Sequence, residues 1–192
     1  MNQLSIFIKA LVDLPEVSLE NFMNICKITT CKKDDFLLRA GEKANYFYFI
    51  KSGIVRSYKT DSNGKEHTRN FFLPMMATGA LSSLIENKPS DYSYSCLLDC
   101  ELYEICYVKF KKLADEDLHL SILFNKMLEK SFLKLEAKIF DLSILNATER
   151  YFKLRAEIPN IDQLVTQYNI ASYLNITPVQ LSRIRKDIVT KK

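Results

Sequence analysis

The stretch Gln167 to Lys186, QYNIASYLNITPVQLSRIRK, decides the fold of the C-terminal part of this 192-residue chain. It reads as a helix, a tight turn and a second helix. Ile170, Ala171, Leu174, Ile176, Leu181 and Ile184 fall on the inward faces of two short crossing helices, with small Ala171 where the two must approach closely. Asn175 stands at the turn, where a left-handed backbone is wanted and Asn tolerates it. Thr177 supplies a capping hydroxyl, and Pro178 suits a first helical position that needs no amide donor. The outer face of the second helix, expected over 178–189, carries Gln180, Arg183, Arg185 and Lys186. Two packed helices with a basic outer face form the helix-turn-helix that enters the DNA major groove. The plainer alternative is a helical hairpin that only closes a domain.

Charge points the same way. From Thr148 to Lys192 there are eight Lys or Arg and four Asp or Glu. Those 45 residues therefore hold the whole formal excess of +4, and the preceding segment, with nineteen of each sign, is neutral. A cationic excess confined to one end is the electrostatic footprint of nucleic-acid binding. Lys191 and Lys192 also suit a helix end whose cations complement the dipole.

With 47% apolar residues the chain can bury a core, and the length suits one large domain or two small ones. No run of eighteen apolar residues predicts a membrane span, and MNQLSIFIKALVDLPEV reads as an amphipathic helix rather than a secretory signal. Five cysteines without a disulfide-scaffold pattern favour a reducing cytoplasm.

Gly41, Gly53, Gly64 and Gly79 lie near turns between short runs rich in β-branched and aromatic residues. Those runs are 35–38, 46–51, 55–59, 67–73, 93–98 and 101–108, and Asn63-Gly64 marks a tight hairpin. Many short strands predict a sandwich or closed roll. From about Val108 the period becomes helical. Leu128, Phe132, Leu135, Ile139 and Leu142 form one stripe, and Leu133, Ala137, Phe140 and Ile144 a second. One stripe suits packing on the roll and the other a partner helix; a single helix buried on two sides within a monomer is the alternative. The helix is expected to end near Asn146. Thr148 then caps a new one that Pro159 stops.

The order of these parts resembles the Crp/Fnr family of bacterial transcription regulators. LLRAGEKANYFYFIKSGIVRSY (Leu37 to Tyr58) is similar to the family's strand-turn-strand core, and IASYLNITPVQLSRIRK to its DNA-reading unit. The resemblance implies an α+β chain with an N-terminal antiparallel β roll, a double-stranded β-helix of the cyclic-nucleotide-binding kind. A long dimerisation helix and a C-terminal all-α helix-turn-helix domain follow. Expected bounds are 1–120 for the sensor, 121–146 for the dimerisation helix and 147–192 for the DNA-binding domain. Leu128, Phe132, Leu135, Ile139 and Leu142 are the expected dimer contacts.

In nucleotide-binding members a Gly-Glu-Leu segment holds the ribose and a Pro-Arg pair holds the cyclic phosphate. Here the frame reads Gly79-Ala80-Leu81 and Pro89-Ser90, with both charged residues missing. Ala80 cannot accept a hydroxyl, and Ser90 cannot neutralise a phosphate as Arg does. Cyclic AMP is therefore not expected. Gly79, Ala80, Leu81, Ser82, Ser83, Pro89, Ser90 and Tyr92, with Tyr94, are the candidate lining of an effector pocket, either vestigial or altered in its ligand. Cys26, Cys31, Cys96, Cys100 and Cys106 are scattered, and His67 and His119 stand far apart. An iron–sulfur cluster needs convergent ligands and a cupin-type metal enzyme needs clustered histidines, so neither metal, cofactor nor enzymatic activity is expected.

Arg183 matches the family's base-reading arginine; bidentate Arg to guanine discriminates by roughly 1–3 kcal/mol. Gln180 is placed to reach an adenine edge and Val179 a thymine methyl. Thr177, Ser182, Arg185, Lys186 and Tyr168 are candidate phosphate contacts. Pro178-Val179 replaces the charged pair more typical after the cap, so the operator differs. Little room remains for flanking β wings, which makes dimerisation more important. The expected function is a cytoplasmic, homodimeric DNA-binding regulator with double-stranded DNA, a small effector and RNA polymerase as partners. The rival is a sensor module acting through protein partners with a degenerate helix-turn-helix.

Overall fold

The computed structural model describes residues 3–190, without the side chains of Val189 and Thr190; Lys191 and Lys192, part of the expected basic tail, lie outside the described residues. Two compact units emerge. The first comprises 1–57 and 71–132, the second 58–70 and 133–192.

In the first unit, α1 (Gln3–Leu11) and α2 (Glu16–Asn24) precede the strands. The strands are β1 (Cys26–Cys31), β2 (Phe36–Leu38), β3 (Tyr46–Ser52), β4 (Val55–Thr60), β5 (Glu66–Phe72), β6 (Ala77–Thr78), β7 (Ser93–Cys96) and β8 (Cys100–Cys106), with α3 (Leu81–Glu86) between β6 and β7. They form two four-stranded sheets, ordered β1-β8-β3-β6 and β2-β7-β4-β5. β8 is central to the first sheet. It runs antiparallel to β1 from Cys26↔Ile105 to Cys31↔Cys100, and to β3 with Tyr48 opposite Glu104. The six expected strands are present within a residue or two. β1 and the two-residue β6 are additional.

Phe, Tyr and Ile side chains cover both faces of β3 and β8. One face carries Phe7, Phe22, Phe47, Phe49, Tyr103, Ile105 and Phe110, with Phe7 and Phe49 ring centroids 4.2 Å apart. Leu4 and Ile8 join this core from the amphipathic N-terminal helix. Tyr48, Ile50, Val55, Tyr94, Cys96, Cys100 and Leu102 fill the roll interior. Gly53 turns the chain between β3 and β4 with φ +91°, and a Cβ there would stand 2.5 Å from the Asp99 carbonyl. No other residue type fits without backbone movement.

α4 (Tyr107–Glu116) and α5 (Leu118–Ile144) follow. Leu120 and Leu123 of α5 are sealed in the first core. From Phe132 onward both apolar stripes of α5 stand exposed in the single chain: Phe132, Leu133, Leu135, Ile139, Phe140, Leu142 and Ile144 are each 44–63% accessible. The long helix thus starts three residues earlier and ends two earlier than expected.

In the second unit, α6 (Ala147–Glu157) is capped by Asn146 rather than Thr148. The Asn146 side chain accepts from the Thr148 and Glu149 amides, and the Glu149 carboxylate accepts from the Asn146 amide. This reciprocal pair satisfies more orphan donors than a lone Thr can. α7 (Ile161–Leu164), α8 (Gln167–Tyr173) and α9 (Pro178–Thr190) complete the chain. Tyr151, Leu154, Ile161, Ile170, Ala171, Leu174 and Leu181 form a closely buried helical core.

Candidate nucleic-acid interface and effector pocket

The turn between α8 and α9 takes its shape from one residue. Asn175 is left-handed at φ +55°. Its amide donates to the Ser172 carbonyl at 3.1 Å, and the Ile176 amide donates back to Ala171 at 3.0 Å. This is the Schellman arrangement, which closes a helix with two backbone bonds and reverses the chain. α9 then starts at Pro178 with a box that sequence inspection left half-read. The Thr177 hydroxyl accepts from the Gln180 amide at 3.2 Å, and Gln180 Oε1 accepts from the Thr177 amide at 2.9 Å. The spacing Thr-x-x-Gln was the available signal.

α9 turns Leu181 fully inward, while Val179, Gln180, Ser182, Arg183 and Lys186 are exposed. Arg183 and Ser182 have no hydrogen-bond or ionic partner among the described residues, so their side chains are open to a ligand. Arg185 is different. Its guanidinium pairs with Asp162 and donates at 3.2 Å to the Tyr151 hydroxyl, which itself donates to Asp162 at 2.7 Å. Arg185 is thus drawn off the outer face and ties α9 to α6 and α7. Gln180 is tied into the cap. The Tyr168 hydroxyl accepts from the Glu66 amide at 3.3 Å. Of the eight expected DNA contacts, Arg185, Gln180, Tyr168 and Thr177 thus carry hydrogen bonds within the protein.

Glu66 lies on a hairpin that belongs to this second unit. The loop is closed by Asp61 and Lys65, with the Asp61 carboxylate accepting from the Asn63 and Lys65 amides and bonded to His67 at 2.8 Å. Ser172 of α8 binds the returning strand twice: its hydroxyl accepts from the Thr68 amide and donates to the Glu66 carbonyl, both at 2.8 Å. Lys138 donates to the Arg69 carbonyl and lies 4.0 Å from the Tyr173 ring centre. Burial first, then the charges of Arg69 and Lys134, bring its ammonium down from the ordinary 10.5 to about 8.

The roll of the first unit holds a cavity of about 270 Å3 that opens to solvent. Its walls come from Leu37 and Leu38 of β2, the Glu42–Tyr46 segment, Tyr48, Tyr94, Glu104, and Gly79-Ala80. Gly79 and Ala80 line it; Leu81, Ser82, Ser83, Pro89, Ser90 and Tyr92 lie outside the lining. Two of these, Ser83 and Ser90, are satisfied internally. The Ser83 hydroxyl accepts from the Ala44 amide at 2.9 Å and donates to the Lys88 carbonyl at 2.5 Å. The Ser90 hydroxyl is folded onto the Tyr92 carbonyl and amide at 2.8 and 3.1 Å. Ala80, 4% exposed, offers no polar atom beyond its backbone.

What the cavity does offer is aromatic and acidic. The Tyr94 hydroxyl donates to the Gly79 carbonyl at 3.0 Å. Tyr48 is only 8% exposed, and its phenol has no partner among the described residues. Burial, then the neighbouring Glu104, pushes that phenol's pKa up, so it stays protonated. Glu104 stands opposite Tyr48 across the β3–β8 ladder. Sequence inspection missed both. Their strands were legible, but not which side chains the closed roll turns inward.

All five cysteines are free thiols. Burial lifts Cys26 to about 12, and a hydrogen bond with Cys100, then burial, raises Cys96. Both therefore stay in the thiol form. None of the helices among the described residues is long and apolar enough to cross a membrane.

Residues 28–117 match the cyclic nucleotide-binding domain family. The cAMP-activated global transcriptional regulator CRP of Salmonella typhimurium is 26% identical over 133 residues, 69% of this chain but 63% of that relative, just under two thirds of its length. The cAMP-activated global transcriptional regulator Vfr of Pseudomonas aeruginosa is 24% identical over 152 residues, 77% of this chain and 70% of the relative. Among solved structures, FixK2 from Bradyrhizobium japonicum superposes with a TM-score of 0.74 at 21% identity, covering 87% of this chain and 86% of that one. A transcriptional regulator of the Crp/Fnr family from Eubacterium rectale gives 0.74 at 16% identity, over 93% and 85%. At such identities the structural likeness speaks for the fold.

Proposed function

We propose that the chain is a member of the Crp/Fnr family, as its similarity to CRP and its cyclic nucleotide-binding region support, and that it is a cytoplasmic, homodimeric DNA-binding transcription regulator. Its β roll takes a small effector other than cyclic AMP. The observation that carries this reading is the outer face of α9. Val179, Ser182 and Arg183 point to solvent on a helix whose opposite side, at Leu181, is fully buried. Such a ridge fits a major groove, with Arg183 on a guanine edge and Ser182, Thr177 and Lys186 toward phosphates. RNA polymerase is the further partner of such a regulator.

The uncovered stripes of α5 support the dimer. Seven large apolar side chains within thirteen residues make a patch that water disfavours and a twofold-related copy of the same helix would cover. Two reading heads about 34 Å apart then address successive major grooves. Titration of the chain against duplex DNA at rising salt tests the proposal. Affinity is expected to fall steeply and log-linearly as condensed counterions are displaced. A salt-independent or absent signal, with sedimentation showing a monomer at every concentration, overturns it in favour of a sensor module that acts through protein partners.

A further inference from the structure

We propose that the roll cavity binds a compact organic ammonium, a primary amine on an aromatic or branched apolar body, in place of an anionic nucleotide. The inference rests on the reading of the roll as a sensor and names the ligand class of that same cavity. Its charged lining is Glu42 and Glu104 against Lys43, a net of −1. Lys43 is already bonded to Asn87 at 3.3 Å, and Glu42 receives the Arg39 amide at 2.9 Å. The Glu104 carboxylate has no hydrogen-bond or ionic partner among the described residues.

Directly across from Glu104 stands the buried Tyr48 phenol, likewise without a partner. A protonated carrier of several N–H donors satisfies both at once, by a charge-assisted bond to the carboxylate and a second bond to the phenol oxygen. The rings of Tyr46, Tyr48 and Tyr94 line the same space. Aromatic faces attract a cation held against them and also shelter an apolar body. An anionic ligand finds the reverse, a carboxylate with nothing to neutralise it. The volume is below the usual range for drug-sized ligands, so the occupant is small.

Calorimetry on the full-length chain with three probes of one shape decides the matter: 2-phenylethylamine, 2-phenylethanol and phenylacetate, with cyclic AMP alongside. The amine is expected to bind at one site per chain and about tenfold or more tighter than the alcohol, with phenylacetate and cyclic AMP silent. Glu104→Gln should bring amine and alcohol to parity, and Tyr48→Phe should weaken the amine more than the alcohol. Thermal melts of both variants establish that they fold. Absence of amine binding, parity of amine and alcohol in the parent chain, or tighter binding of phenylacetate or cyclic AMP overturns the proposal. Duplex binding is read separately. A chain that binds DNA but not the amine removes this inference alone; one that binds the amine but not DNA keeps it and removes the regulator.

Discussion

In the roll, Ser83 and Ser90 fold their hydroxyls onto neighbouring backbone, whereas on α9 Ser182 holds its hydroxyl out to solvent. The same contrast divides the charged residues. Arg185 is bound to Asp162 and Tyr151 while Arg183, two residues earlier, is bound to nothing among the described residues. Residues of one chemical type, close in sequence, thus have opposite roles, because one has a partner inside the protein and the other does not. The lesson is that a polar side chain is a candidate for recognition only after its internal bonds are counted. In the reading head that count leaves a cation and a hydroxyl; in the roll it leaves a carboxylate and a phenol.

The sharpest way to break this contrast is Ser83→Ala. Ser83 is 1% exposed, and its removal strands the Ala44 amide and the Lys88 carbonyl. Chemical denaturation is expected to show a loss of about 2–3 kcal/mol, the cost of unsatisfied buried groups; a neutral result would return Ser83 to the ligand-facing set. Arg185→Ala should cost about 2 kcal/mol of stability by leaving Asp162 half-buried without its closest cation, while DNA sequence preference is kept. If instead stability holds and DNA binding falls, Arg185 is a phosphate contact after all.

Lys138 gives a smaller effect with a definite sign. The unfolded lysine keeps its proton to about 10.5, the folded one only to about 8. Between those values the unfolded state binds more protons, so stability should rise with pH across the window, by about 1 kcal/mol or more. Lys138→Met should flatten that slope in melts taken from pH 7 to 11; an unchanged slope would assign it elsewhere. Smallest in stability is Arg183→Ala, expected within about 0.5 kcal/mol of the parent. Its signature is in DNA binding alone, with discrimination relaxed by roughly 1–3 kcal/mol in competition against scrambled duplex.

Local chemistry made much of this legible in the sequence. Asn175 at the left-handed turn, Pro178 at the first helical position, Asn63-Gly64 in the hairpin and the strand runs around Tyr46 and Cys100 each act through near neighbours, and each stands where spacing places it. β1 was overlooked because CKITTC buries no side chain fully and alternates weakly, and β6 because two residues carry no period. The site was less legible for a different reason. Asp162 lies 23 residues before Arg185, and Tyr48 lies 56 before Glu104; nothing local announces either meeting. The capping pairs Asn146 with Glu149 and Thr177 with Gln180 were readable by their spacing, and the structure corrects the first to Asn146.

β5 ends the order β2-β7-β4-β5, so one of its flanks has no strand beside it. Bare flanks of that sort recruit foreign strands and seed aggregation. At Glu66 and Thr68 the rungs are instead filled by the hydroxyls of Tyr168 and Ser172. Two helical side chains thereby occupy the polar groups of Glu66 and Thr68, and a chain shortened ahead of Thr166 would leave them bare and sticky.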